Sequence, residues 1–366
     1  MTGDATLAPL SVWTIAGRIG WPASNLLLVA ALVAFPLVFT NPAVTTDAID
    51  ILIFVAMAAA WNTFSGYTGY ISLGHMVFFG CGAYFTAIAT LDWGLTGSGV
   101  FWLLPLAGLL GGVIAIPFGL VALRVRRHTF VVITIAVVFI FQQMAYNFGV
   151  THGSSGINTP VFNFDPATYN NPFYYVGLVI AVATVAASWV IRRSRYGLQL
   201  RAIRDDEDRA RGLGVQAMRV KIGALAFSAI PLGAVGGLYW LTTYTIQPPY
   251  AFNPLWDLTI ALMAFLGGLG TVWGPVLGAV LVEGAQLYFF PQTGGSYLYY
   301  LVYGGLFLFV ILGMPRGLIP TAAELIEKVQ ARLSREPPLA AAVSDGEIDA
   351  EIAGGTPAAV RAGESA

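Results

Sequence analysis

Charge is scarce in this sequence. Only 10% of its 366 residues are Asp, Glu, Lys or Arg, whereas an ordinary soluble domain carries about 25%. Hydrophobic residues make up 57% of the chain, and the mean hydropathy is +0.73. A soluble protein with so few charges would have too little polar surface to stay dispersed in water. We therefore expect lipid to cover most of the surface.

Several kinds of chemical site are also missing. The single cysteine, Cys81, excludes an intrachain disulfide framework and a cysteine-rich metal site. The sequence has no G-x-x-x-x-G-K-[ST] loop to hold a phosphate, and no H-E-x-x-H, C-x-x-C or G-x-S-x-G motif. A net charge of −1 does not favour a nucleic-acid partner. We predict no catalytic residue, cofactor or metal, so any ATP that drives the protein must bind another subunit.

Apolar runs long enough to cross a membrane fill most of the chain. A helix needs about 20 mostly apolar residues to span the hydrocarbon core. The candidate spans are 24–40, 48–64, 75–91, 100–123, 129–148, 173–191, 220–243, 255–269, 274–290 and 297–313. The short runs 255–269 and 274–290 form either two spans or one re-entrant hairpin. The sequence therefore predicts an all-α, polytopic transmembrane helix bundle with eight to ten spans.

The basic residues predict how the chain threads the membrane, because short cytoplasmic loops are enriched in them. With ten spans and the N-terminus inside, the inside segments are 1–23, 65–74, 124–128, 192–219, 270–273 and 314–366. All 18 Lys and Arg lie in these segments or within two residues of them.

This threading divides the chain into three parts. We expect a cytoplasmic N-terminal segment over 1–23, a transmembrane domain over 24–320, and a cytoplasmic, largely disordered tail over 321–366. Both termini are then cytoplasmic. No cleavable signal peptide is evident, since the N-terminus lacks a basic segment before its first apolar run.

Two glycine-rich stretches, 65–75 and 267–275, interrupt the apolar runs. Each is either a broken helix buried in the bundle, as at transporter substrate sites, or a tight loop just outside the membrane. The candidate residues of a translocation path in and beside them are Asn62, Gly69, Ser72, His75, Gly268 and Gly270. His75 is alternatively a hydrogen-bonded structural residue.

Other features of the spans have simpler interpretations. Asp257 lies near the outer end of its span and is most simply interfacial. G-x-x-x-G pairs such as Gly233 and Gly237 predict close helix packing.

The inside segment 192–219 carries charges of both signs beside a row of apolar residues. This pattern is typical of a short amphipathic helix that ends near Gly212 and Gly214. Such a helix is either a solvated loop or a docking element for a cytoplasmic partner. In the second case the mixed charges supply orientation and specificity more than affinity.

At this loop the sequence YGLQLRAIRDDE, residues 196–207, resembles the cytoplasmic loop of branched-chain amino acid ABC transporter permeases of the LivM type. Further similar stretches follow the family's order along the chain. They are GYTGYISLGH at 66–75 running into 78–84, LRVR at 123–126, THGSSGI at 151–157, GLGV at 212–215, NPLW at 253–256, and LGGLGT with GP at 266–271 and 274–275. One departure is Arg127, where the family more often has Gly.

The resemblance implies one permease subunit of an importer in the cell inner membrane. Its implied partners are a second permease subunit, two cytoplasmic ATP-binding subunits, a periplasmic or extracellular substrate-binding protein, and membrane lipid. The segment 192–219 is then the loop that couples to the ATPases, with these coupling residues: Gly197, Arg201, Arg204, Glu207, Gly212 and Gly214.

The resemblance implies transport of branched-chain amino acids or a similar small polar solute. Urea or another small solute of the same family is an alternative. A self-sufficient secondary transporter or channel is a second alternative, because it also lacks ATP-binding motifs.

Overall fold

The computed structural model describes residues 21–292 apart from 40, 126, 163, 166, 167 and 244, and further along the chain 304, 305, 308, 317–322, 324 and 326. Most of the predicted segment 1–23, of the span 297–313 and of the tail 321–366 lies outside the described residues. Contacts divide the chain into two compact units, Met1–Ile319 and Pro320–Ala366. The features below all lie in the first unit.

Helices make up nearly all of the regular structure in the described residues. Two antiparallel strands of two residues each, β1 (Ile157–Asn158) and β2 (Thr245–Ile246), pair with each other. The α-helices are α1 (Trp21–Val38), α2 (Pro42–Trp61), α3 (Met76–Asp92), α4 (Leu103–Ala122), α5 (Arg127–Asn147), α6 (Asn171–Arg193), α7 (Arg195–Asp205), α8 (Glu207–Gly212), α9 (Ala217–Thr242), α10 (Pro248–Ala251), α11 (Pro254–Gly267) and α12 (Trp273–Gln292).

The helices confirm the predicted all-α bundle. Each predicted span between residues 24 and 290 coincides with a helix. Five helical segments in the described part of the chain are long and apolar enough to cross a membrane: 42–66, 97–122, 128–147, 171–193 and 217–242. With 14 residues, α11 is only about 21 Å long, less than the roughly 30 Å hydrocarbon core. It pairs with α12, so the choice between two spans and a hairpin remains a prediction.

Small residues let α9 pack closely against α3 and α4. A Cβ atom added to Gly82 would lie 2.1 Å from the Gly233 carbonyl oxygen, and one added to Gly236 would lie 2.0 Å from that of Phe79. On the other side of α9, a Cβ on Gly233 would lie 2.4 Å from the carbonyl oxygen of Ala107. Close backbone approach is how helices associate in lipid, so the structure confirms the packing interpretation for Gly233.

The outer helices carry apolar side chains on their exposed faces. On α5, Val132, Phe139 and Ile140 are each more than half exposed. Exposed apolar faces of this extent would make a soluble monomer aggregate. On a membrane-spanning helix they contact the acyl chains of lipids.

Candidate functional site

The first glycine-rich stretch, residues 65–75, is buried inside the bundle; we call it the first break. Helix α2 passes into a π-helical turn at Asn62–Gly66, and the next helix begins only at Met76. The indole of Trp61 donates to the Ser72 carbonyl at 2.8 Å, and the Ser72 amide donates to the Ser65 hydroxyl at 3.2 Å. Non-helical backbone is tolerated in a membrane protein when the protein itself satisfies its polar groups. The structure therefore favours the buried alternative for this stretch.

The second glycine-rich stretch, residues 267–275, is a tight turn between α11 and α12; we call it the second break. Gly268 and Gly270 have φ values of +128° and +79°, which L side chains rarely adopt. A Cβ on Gly267 would lie 1.6 Å from the Gly274 carbonyl oxygen. Glycine is therefore required here both for backbone conformation and for space.

Asn62 joins the two breaks. Its side-chain amide donates to the Thr271 carbonyl at 2.8 Å, and its side-chain oxygen accepts from the Gly270 amide at 2.8 Å. Asn62 is fully buried, whereas its partners Gly270 and Thr271 are half-buried. The structure thus brings together three of the predicted path residues, Asn62, Gly268 and Gly270.

The 192–219 loop forms two short helices rather than one. The Ser194 hydroxyl accepts from the Gly197 amide and caps α7, and the Asp206 carboxylate accepts from two amides at the start of α8. Gly197 is buried, and a Cβ there would lie 2.2 Å from the Ile191 carbonyl oxygen. Beyond α8, Gly212 is exposed and Gly214 has a positive φ. This arrangement presses α7 against the end of α6.

Arg204, on α7, reaches both breaks. Its guanidinium donates from Nη1 to the carbonyl of Gly66 at 2.7 Å, at the start of the first break. A Cβ on Gly270 would lie 2.4 Å from the same Nη1 atom, and a Cβ on Gly69 would lie 3.0 Å from Arg204 Cγ. Arg204 therefore contacts residues of both breaks.

Glu207 forms a second set of contacts between the loop and the first break. Its carboxylate accepts hydrogen bonds from Lys221 at 2.8 Å and from the Tyr70 hydroxyl. Lys221 is only 1% exposed, and its ammonium lies 4.2 Å above the Tyr70 ring. Burial raises the pKa of Glu207, but the hydrogen bonds from Lys221 and Tyr70 and the nearby positive charges outweigh it. They hold the pKa below its ordinary value of 4.5.

Most of this helical region matches a known protein family. Residues 44–311, well over half of the chain, match the family model described as branched-chain amino acid transport system permease component. The chain belongs to this permease family. It is an integral membrane protein and a component of a multi-subunit transport system.

Several curated relatives are similar to this permease over most of their length. The high-affinity branched-chain amino acid transport system permease protein LivM of Salmonella typhimurium is 26% identical over 80% of this chain and 73% of its own. LivM of Escherichia coli is 25% identical over 81% and 75%. A probable LivM of Methanocaldococcus jannaschii is 28% identical over 59% and 66%. No solved structure matches the chain significantly.

His75 and Asp257 form a buried pair in the permease. The Asp257 carboxylate accepts from the backbone amides of His75 and Met76 at 3.0 and 3.3 Å and so caps the N-terminus of α3. Because Asp257 is fully buried, its interpretation as an interfacial residue is wrong. The His75 ring contacts the Ser228 hydroxyl at 3.0 Å through Nε2. These contacts favour the structural role of His75 over a place on an open path.

Sequence reasoning missed Lys221 as a site residue. Lys221 stands in the apolar sequence Val220-Lys221-Ile222, close to the start of α9. A lysine in such a sequence needs an anionic partner if it is buried, and the acidic run 205–208 lies in the loop that leads into the helix of Lys221. That combination was the available signal for the contact between Lys221 and Glu207.

The 192–219 loop has a buried face and an exposed face. Leu200 and Ile203 are fully buried, and Arg204 and Glu207 lie on the same side. On the other face Leu198 is 59% exposed and Arg201 is also exposed, while Leu213 beyond α8 is 86% exposed. The loop thus contacts its own chain on one face and leaves apolar and charged side chains free on the other.

Proposed function

We propose that this chain is the membrane-spanning permease subunit of an ABC importer, and that its 192–219 loop transmits the motion of separate ATPase subunits to the two breaks. The observation that carries this proposal is the position of Arg204, which hydrogen-bonds the first break and contacts the second. A displacement of α7 by a partner would change both breaks together. Such a change is a shift between two populated states of the pathway.

The Glu207 contacts support a rigid connection between the loop and the membrane helices. Lys221 belongs to α9, which packs at the centre of the bundle. Its ion pair with Glu207 is nearly excluded from water, since the two side chains are 1% and 13% exposed. Removing one partner of a buried pair leaves an uncompensated charge. The loop therefore moves with α9 and the first break instead of sliding past them.

The exposed face of the loop is the proposed docking surface for the ATPase. Leu198 and Leu213 are apolar anchors among charged residues such as Arg201. Interfaces are commonly stabilised by a few buried apolar side chains within a polar rim. In this arrangement the outward residues bind the partner, and the inward residue Arg204 transmits its movement.

The relatives also support a proposal for the cargo and the complete assembly. Their names support branched-chain amino acids as the solutes, and a similar small polar solute such as urea is the alternative. We propose a complex with a second permease subunit, two cytoplasmic ATP-binding subunits and a periplasmic or extracellular binding protein. The complex lies in the cell inner membrane with both termini of this chain, and the 192–219 loop, on the cytoplasmic side. The charge distribution supports that orientation.

Reconstitution tests the function. Proteoliposomes with the complete complex, loaded with ATP, are expected to accumulate radiolabelled leucine when the binding protein is added outside. Omitting the ATPases or ATP is expected to abolish uptake. Uptake by the purified chain alone, driven by an ion gradient, would instead assign a secondary transporter.

Cysteine labelling tests the orientation independently. The native Cys81 is replaced by Ser, and single cysteines are placed at Arg209, an exposed position of the loop, and at Val161, which is 91% exposed near the other end of the bundle. We expect a membrane-impermeant maleimide to label position 161 in intact cells and position 209 only after the cells are opened. Labelling of position 209 in intact cells would contradict the cytoplasmic assignment.

A further inference from the structure

A basic cavity lies where α6 ends against α7 and the second break. It has a volume of about 310 Å³ and is lined by Trp189, Arg192, Arg193, Arg201 and Val272. The three arginines come from the last turn of α6 and from α7. None of them belongs to the contacts of Arg204 or Glu207 described above.

The arginines of this cavity lack an anionic partner in the described part of the chain. No carboxylate of those residues lies within 4.0 Å of Arg192, Arg193 or Arg201. Arg193 stacks over the Trp189 ring at 4.3 Å, and Arg201 makes only a long contact from Nε to the Gly197 carbonyl at 3.4 Å. Three guanidinium groups around one cavity repel each other and attract an anion that can accept several hydrogen bonds.

The indole of Trp189 forms one wall of this cavity. Trp189 Nε1 is buried and has no hydrogen-bond partner among the described residues. A buried donor without an acceptor is costly. An oxyanion in the cavity would supply acceptors for the guanidinium groups, whereas Nε1 is closed off from the cavity and does not take part.

The cavity lies at the end of an apolar stripe on α6. Val179, Val182 and Val190 are exposed on one face of this helix, at the spacing of a single helical face. Arg193 follows Val190 by three residues and so continues the same exposed face. An acyl chain lying along the stripe would place the headgroup of its lipid at the three arginines.

We propose that this cavity binds the phosphate of an anionic phospholipid headgroup. Phosphate offers the multiple oxygen acceptors that guanidinium groups bind best, and basic pockets at the ends of membrane helices are suited to anionic headgroups. Inorganic phosphate has the same acceptor oxygens but no acyl chain to contact the apolar stripe. The stripe therefore favours a lipid. The proposal requires only that α6 contacts lipid, so it stands or falls independently of the coupling role of Arg204.

Native mass spectrometry of the purified full-length chain tests the site. The protein is titrated with phosphatidylglycerol, and separately with phosphatidylcholine and inorganic phosphate. We expect one tightly bound phosphatidylglycerol that neither of the other two displaces. The triple variant R192Q/R193Q/R201Q is expected to weaken this binding by at least about tenfold. The single variant R193Q, at the arginine that continues the apolar stripe, is expected to weaken it less.

A matched variant separates the cavity from general surface charge. R124Q/R195Q/R209Q removes the same number of positive charges at exposed positions outside the cavity, and we expect it to keep the tight lipid. Equal binding by the two triple variants, or displacement of the lipid by inorganic phosphate, would overturn the proposal. The cavity variant is also expected to bind the ATPase subunits less tightly, because Arg201 lies on the proposed docking surface as well. Only its phosphatidylglycerol affinity is therefore decisive, and tight lipid binding retained by the cavity variant would overturn the proposal. R193Q decides the matter if the cavity triple variant does not fold, since unchanged lipid affinity would then refute the proposal.

Discussion

The two breaks are stabilised in different ways. The first break depends on side-chain hydrogen bonds, such as those between Trp61 and Ser72 and between Ser72 and Ser65. The second depends on glycines, because Gly267 has no room for a side chain and Gly268 has a backbone conformation unsuited to one. Loss of the Ser65 hydroxyl is therefore expected to weaken the first break, and an added carbon at Gly267 to disrupt the second. Glycine also matters in the first break, since Gly69 has a φ of +72° and a Cβ on Gly66 would lie 2.0 Å from Asn62 Oδ1.

The largest expected effect comes from filling the second break. Gly267→Ala would place a methyl carbon 1.6 Å from the Gly274 carbonyl oxygen, and α11 and α12 would have to separate. Overpacking of a core commonly costs about 1–3 kcal/mol and occasionally more. The clash here is with backbone atoms, which cannot yield as a flexible side chain does, so we expect a cost above that range. We expect loss of the monodisperse protein in size-exclusion chromatography.

Gly284→Ala is the matched control on α12. Nothing lies within 4 Å of a Cβ at Gly284, and alanine is favoured over glycine inside a helix by roughly 0.5–1 kcal/mol. We expect an unchanged or slightly raised melting temperature. A Gly267→Ala protein that folds like this control would refute the steric account of the second break.

The next largest effect is expected where the breaks meet. Asn62→Ala leaves the Gly270 amide and the Thr271 carbonyl without their partner in a buried site. Each buried polar group left unsatisfied costs about 1–3 kcal/mol, so we expect a loss of roughly 2–4 kcal/mol in unfolding free energy. Denaturant titration in detergent measures it. If Asn62→Ala lowered the unfolding free energy by less than Ser65→Ala, which removes a single hydroxyl, Asn62 would not join the two breaks.

A smaller effect is expected from one hydroxyl of the first break. Ser65→Ala removes the acceptor of the Ser72 amide, and we expect a loss of about 1–2 kcal/mol in unfolding free energy. Thr63→Val is the control, because the Thr63 hydroxyl donates only to the Ala59 carbonyl of its own helix. The same titration should show a change of less than about 0.5 kcal/mol for the control. Equal effects of the two substitutions would remove the distinction between the breaks.

The smallest effect concerns the pH dependence of the contacts that Glu207 forms between the 192–219 loop and the first break. The pKa of Glu207 is lower in the folded protein than its ordinary value of 4.5. Its contribution to stability is therefore present above pH 4.5 and is lost as the pH falls through the lowered folded pKa. We expect Glu207→Gln to flatten the fall in melting temperature on acidification below pH 4.5.

Asp208→Asn is the control for this measurement. The Asp208 side chain is 94% exposed, and its ion pair with Arg211 is long at 4.0 Å. Asp208→Asn is expected to leave the fall in melting temperature at acidic pH unchanged. If Glu207→Gln and Asp208→Asn gave the same pH profile, the contacts of Glu207 with Tyr70 and Lys221 would not contribute to the pH dependence of stability.

Local sequence signals predicted the helices and the breaks well. Long apolar runs identified the spans, and the clustered glycines of 65–75 and 267–275 identified where helices end. The contacts across the fold were not predictable in this way. Asn62 and Thr271 are separated by 209 positions, and no periodicity links them.

Local sequence patterns also did not predict which way the side chains of the site point. The charges of the 192–219 loop indicated a docking element, but nothing in their spacing placed Arg204 against Gly66 and Gly270 rather than toward a partner. Asp257 was misinterpreted as interfacial because its position near a span end gave no sign that it caps α3. In both cases the packing of distant helices decides the role of the residue.

The coupling ratio of the reconstituted importer, leucine molecules imported per ATP hydrolysed, tests the central claim most directly. Arg204→Gln removes the charged hydrogen bond to Gly66, for which about 1.5–3 kcal/mol is typical. We predict a fall of about tenfold or more in the ratio with the ATPases still bound. Arg209→Gln, at a side chain that is 87% exposed, should leave the ratio unchanged. A normal ratio for Arg204→Gln would contradict transmission through this residue.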